Sequence, residues 1–208
     1  MAILVFVESA EGKIKKTSLE AVAYAHAMGD QVTAIALGSI DKSELEAIGK
    51  FGASKVLAVG DERLNQGVIK AYASVLTQAF KAEGADSLVL ANSSLGTPVA
   101  ASVATKIGAS LASNVVDLPD TSSGFVVKQS IYTGKAFALV EMKNQKKVIG
   151  IRKNAVELKE TGGSSEVVDF AANLTDADFA TKITATEKAA GDILLPEAEI
   201  VVSGGRGM

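Results

Sequence analysis

Apolar residues fall along this chain in two rhythms, short continuous runs and longer stretches spaced at three and four, and the two alternate through the first hundred positions. Residues 2–8 form an apolar run of strand length. Thr17 then stands three residues before Glu20, a pattern in which each side chain can bond the other's backbone at a helix start. Leu19, Val22, Ala23 and Ala27 share one face of that helix, and Gly29 with Asp30 ends it. A second strand is expected over 31–37. Asp41 and Glu44 repeat the capping pattern before a helix that stops near Gly49 or Gly52, and 55–59 makes a third strand. The spacing predicts a helix over 65–83, with Val68, Ile69, Tyr72, Val75, Leu76, Ala79 and Phe80 on its apolar side and Gly84 closing it. Residues 87–91 read as a fourth strand and 92–96 as a loop, and Thr97-Pro98 opens another helix, with Thr97 as cap. Strands and helices alternating at these lengths imply an α/β fold, a parallel Rossmann-like sheet with helices on both faces.

After Ala112 the rhythm changes. The runs 125–132, 136–142 and 147–152 are separated by short polar turns that leave no room for crossover helices, so they are expected to pair as an antiparallel β-meander extending the sheet. Residues 161–165 read as a loop and 166–170 as an edge strand. Residues 174–186 stay ambiguous, with a helix start at Asp176 and strand character at 183–186. A new strand over 199–202 runs into Ser203, Gly204, Gly205, Arg206 and Gly207 before the final Met208. A strand entering a glycine-rich turn ordinarily leads to a helix whose amino end receives a phosphate. The expected organisation is therefore an α/β domain over 1–195, then at 196–208 the opening strand and turn of a second domain cut short.

Composition narrows the function. With 48% apolar and 22% charged residues, the 208-residue chain can bury a core, and no run approaches the roughly 20 apolar residues of a membrane span. A net charge of −3 argues against a nucleic-acid footprint. The basic run 143–147 reads as a solvated turn. The absence of cysteine and a single histidine exclude thiol chemistry, iron–sulfur ligation and ordinary zinc sites. The amino terminus carries no basic or Arg/Ser-rich leader, which fits a bacterial cytoplasmic protein or a mature chain.

No catalytic set emerges. His26, about two helical turns after Leu19, reads as a structural residue near the buried side of its helix. The loop 92–96 lies at the mouth of the expected sheet, where it can meet a ligand or a partner or simply connect two elements. Tyr132 to Lys135 reads as a hairpin turn with Gly134 at positive φ, or as an interface anchor through its tyrosine. Arg206, flanked by glycines, can offer a bidentate fork to phosphate or stand solvated at a frayed end. Asp86, Asp117 and Asp120 suggest no hydrolase.

Several segments in order resemble electron-transfer flavoprotein α subunits. They are Ile-Leu-Val-Phe-Val-Glu at 3–8, Leu-Gly-Thr-Pro at 95–98, the hairpin Lys-Gln-Ser-Ile-Tyr-Thr-Gly-Lys-Ala at 128–136, Gly-Ile-Arg at 150–152 and Val-Val-Ser-Gly-Gly-Arg-Gly at 201–207. The last matches the family signature without change, whereas Lys128 and Gln129 replace the Arg-Pro usual in the hairpin, and Thr133 and Lys135 replace its Ala and Asn. The resemblance implies a non-catalytic scaffold and docking domain of an electron carrier. It implies FAD held by a heterodimer with a β subunit, with little retained by this chain. Electrons would pass from acyl-CoA dehydrogenases or other flavin dehydrogenases, as in fatty acid β-oxidation, to a quinone oxidoreductase or another acceptor. It assigns flavin contact to Arg206, with Ser203, Gly204, Gly205 and Gly207 around it. The competing reading is a stand-alone adenine-nucleotide-binding α/β module.

Overall fold

The computed structural model describes residues 1–29, 31–185, 200–205 and 207. The elements run β1 (Ala2–Val7), a small hairpin of β2 (Ser9–Ala10) and β3 (Lys13–Ile14), α1 (Lys16–Met28), β4 (Gln31–Leu37), α2 (Lys42–Ala47) and β5 (Lys55–Val59). They continue with α3 (Ile69–Ala82), β6 (Ser87–Ala91), α4 (Gly96–Ile107), β7 (Ser110–Val115), β8 (Val126–Ile131), β9 (Ala136–Glu141), β10 (Lys147–Ile151) and β11 (Glu166–Asp169). Among the described residues nine strands form one sheet in the order β11-β5-β4-β1-β6-β10-β7-β8-β9, parallel from β11 through β7 and antiparallel at β8 and β9.

Because side chains alternate across a strand, the central strands feed two cores. Leu4, Phe6, Ile35, Leu88 and Leu90 face α3 and α4. Ile3, Val5, Val32, Val89 and Ile149 face α1 and α2. Burial on both sides explains why these strands read as continuous apolar runs. Phe6 meets Tyr72 edge to face, ring centroids 5.7 Å apart, which fixes α3 against the middle of the sheet.

The third run of the expected meander is corrected. Residues 147–151 do not pair antiparallel with β9; they insert as β10, parallel, between β6 and β7. Val148, Gly150 and the two isoleucines of this strand are buried on both faces, which a meander edge does not require. β7 was not anticipated, because Leu111 and Ser113 are exposed and its apolar signal is weak. Asn114 at φ 58 bends it, and a single register pair, Val115 with Gln129, hands the sheet over to the β8–β9 hairpin.

Helix starts also differ from expectation. Glu20 is buried, and its carboxylate accepts the Asn154 N–H at 2.8 Å, so it does not cap α1. Glu44 reaches the Ile14 N–H at 3.4 Å, and Asp41 makes no side-chain cap. The helix expected from residue 65 is split, with Gly67 at φ 72 separating a short 3-10 turn, Glu62–Gln66, from α3. Asp176–Phe179 form a 3-10 turn closed by a Thr175–Asp178 capping box. Residues 200–205 lie outside any helix or strand, so no strand forms over the described part of 199–202. Among the described residues no helix is long and apolar enough to cross a membrane.

Candidate functional site

From β1 the chain crosses to β4 and β5 on one side and then returns to β6 on the other. The crevice between the carboxyl ends of β1 and β6 is thus the topological switch point, where open α/β sheets receive ligands. Here the chain fills it. Glu8, the residue after β1, is only 4% exposed. The Ser93 hydroxyl donates to its Oε1, and the Lys15 ammonium lies 2.9 Å from its Oε2. Its backbone N–H donates to Ser18 Oγ at 2.8 Å. A carboxylate taken from water is costly unless paired and hydrogen-bonded, and Glu8 is both. Burial, with the Glu8 charge adding to it, pushes the nearby Tyr72 phenol up to about 12, and its hydroxyl donates to the Leu64 carbonyl at 2.7 Å.

The loop 92–96 is shaped by the same contacts. Ser93 Oγ accepts the Gly96 N–H at 2.7 Å, so Ser93, not Thr97, satisfies the first turn of α4. Thr97 bonds Asn92 Oδ1 at 3.1 Å. Gly96 is required here by close approach, because a Cβ would overlap the Ala91 carbonyl oxygen. The loop is therefore an internal brace.

A second surface lies at the far end of the sheet. Among the described residues β9 is the terminal strand and pairs only with β8. Val127 and Val140 turn inward to the core beside α1, whereas Phe137 and Leu139 project outward, Leu139 with 76% of its area exposed. Tyr132, at the hairpin tip, is 77% exposed, and the tip backbone takes positive φ at Tyr132, Thr133 and Gly134, as the turn reading anticipated for the glycine. Beside this face Val116, Lys128, Phe137, Arg152, Asn154 and Ala155 line an open cleft of about 360 Å³. Lys128 Nζ stands 4.8 Å over the Phe137 ring, and Arg152 Nη1 donates to Ser130 Oγ at 3.2 Å.

Other expected site residues are scattered. His26 is exposed, correcting its placement near the buried side, and it packs over Gly52, where a Cβ would strike the imidazole. Ser203, Gly204, Gly205 and Gly207 are exposed, and a Cβ at Gly205 or Gly207 would meet nothing within 4 Å. Arg206 lies outside the described residues. Sequence reasoning passed over Glu8, whose signal was a lone carboxylate ending a wholly apolar run. It also passed over the pairing of Lys128 with Arg152, which depends on the placement of β10.

Residues 3–190 match the family model described as "Electron transfer flavoprotein domain". A relative named "Electron transfer flavoprotein subunit alpha" from Syntrophomonas wolfei is 30% identical over 207 residues, 98% of this chain and 64% of the relative. One of the same name from Bacillus subtilis is 27% identical, across 99% of this chain and 64% of its own length. A "Probable electron transfer flavoprotein subunit alpha, mitochondrial" from Caenorhabditis elegans is 27% identical, covering 99% and 61%. The chain thus spans less than two thirds of the length of these relatives.

Proposed function

Since the chain belongs to the electron transfer flavoprotein family, we propose that it serves an α-type subunit as a non-catalytic scaffold whose exposed hairpin face docks the partner β subunit. The observation that carries this reading is β9, a terminal strand that turns Phe137 and Leu139 to solvent. An apolar face on an unpaired edge is a hazard for a lone protein and an asset for one that meets a partner strand or sheet. In the assembled carrier, FAD would take electrons from acyl-CoA dehydrogenases or other flavin dehydrogenases and pass them to a quinone oxidoreductase or another acceptor. FAD supplies the redox chemistry when bound. Arg206 would offer its guanidinium to the cofactor, with Ser203, Gly204, Gly205 and Gly207 letting the backbone approach.

The 208-residue chain alone holds flavin weakly in this account. Binding a dinucleotide costs about 4 to 15 kcal/mol of lost translation and rotation. One arginine flanked in sequence by glycines does not offset that. The test is the absorbance of the purified chain after dialysis with FAD. A spectrum without stoichiometric flavin is expected, and one flavin per chain would overturn the scaffold reading.

The competing nucleotide-module reading meets the Glu8 carboxylate, which already occupies the crevice where phosphates would sit. Calorimetry with AMP and ATP is expected to give no heat of binding.

A further inference from the structure

The cleft beside the β9 face carries a charge pattern that docking through apolar contact alone does not explain. Two cations, Lys128 and Arg152, line it together with the Phe137 ring. Neither forms an ion pair among the described residues; Glu141, on the same face of β9, pairs instead with Lys143 at 3.9 Å. In a chain whose net charge is −3, two uncompensated cations sharing one cleft are out of balance locally.

Both are held in place. Arg152 donates to Ser130 Oγ at 3.2 Å, its own N–H bonds the Val115 carbonyl at 2.8 Å, and its guanidinium lies close against Gly134 at the hairpin tip. The floor of the cleft is anchored too, since the buried Glu20 fixes the Asn154 N–H and the Ala155 N–H returns to the Arg152 carbonyl at 3.1 Å. Lys128 rests over Phe137. A fork so oriented loses less freedom on binding than a free arginine does, and its geometry suits a carboxylate.

We infer that this cleft receives a carboxylate side chain of the β subunit, held between Lys128 and Arg152 beside the Phe137 ring. The inference rests on the docking reading above. A protein side chain is the occupant because Phe137 lines the cleft from β9 and exposed Leu139 stands opposite Lys128 in register, so a partner that fills the cleft also meets that apolar face. The cations set register and orientation, and the apolar face supplies area.

The experiment titrates the 208-residue chain with the β subunit of the same organism by calorimetry at low and high salt. The variants are Arg152→Gln, Lys128→Gln and Arg152→Lys, each checked for native circular dichroism. Wild-type affinity is expected to fall with salt. Loss of either cation is expected to weaken binding roughly tenfold to a hundredfold and to flatten the salt dependence, as removing a charge-assisted hydrogen bond would. Arg152→Lys should fall between wild type and Arg152→Gln. Wild-type affinity and salt dependence in both glutamine variants would overturn the inference while leaving docking intact. No association of the wild-type chain at any salt would overturn docking itself, and the inference with it.

Discussion

At the scale of single residues, Glu8 and Ser93 decide what the switch point can do. Ser93 donates to the Glu8 carboxylate and accepts from Gly96, so one hydroxyl hydrogen-bonds a buried charge, which Lys15 balances, and satisfies a helix N–H at once. Ser93→Ala removes both, leaving a buried acceptor and an unsatisfied helix N–H. The expected cost is about 1 to 3 kcal/mol, read as a lower urea midpoint with an unchanged slope. An unshifted midpoint would mean that the crevice is not held closed by this contact. The same two residues show what a sequence conceals. Ser93 was legible only as a loop residue, and Glu8 only as the end of a strand, because their meeting depends on β1 and β6 lying side by side.

Among the elements, β11 shows how a late strand reaches the sheet edge. The segment before it runs along the 3-10 turn Ile48–Phe51, with the Thr161 N–H bonded to the Lys50 carbonyl at 2.7 Å and the Ser165 N–H to the Glu46 carbonyl at 3.1 Å. Gly49 is buried at the crossing, where an added methyl would overlap the backbone of Ser164 and Ser165. Gly49→Ala is expected to destabilise the protein by about 1 to 3 kcal/mol, as overpacking does, and to release β11 first. Hydrogen exchange checks this: the amides of 166–170 should lose protection ahead of β1 and β6, and uniform protection would contradict it.

Strands buried on both faces, such as β1, β4 and β6, were plain in the sequence because burial leaves an unbroken apolar run. β11 was also legible as an edge strand. β7 and β10 were not. β7 is half exposed and bent at Asn114, so its pattern is diluted. β10 has the composition of a central strand, but the short turn before it resembled a hairpin connection, and local spacing carries no record of which strand a run will sit beside. Capping patterns misled for a related reason, since Glu20 and Glu44 found tertiary partners in place of their own helix starts.

For the whole molecule, the arrangement divides labour between two ends of one sheet. The centre is closed, with both faces covered by helices and the switch point plugged by its own carboxylate. The hairpin end is open, with apolar side chains on β9, which has one neighbour, and beside it two cations, Lys128 of β8 and Arg152 after β10, that form no ion pair among the described residues. That contrast fits a domain whose role is assembly. The most direct measurement is sedimentation of the chain mixed with the β subunit, compared with Leu139→Asp, a substitution at an exposed position that leaves the core untouched. A one-to-one complex is expected for the wild-type chain, weakened roughly tenfold or more by the aspartate at the centre of the face. A complex that forms equally well with Leu139→Asp, or two species that sediment independently, would contradict docking through the hairpin.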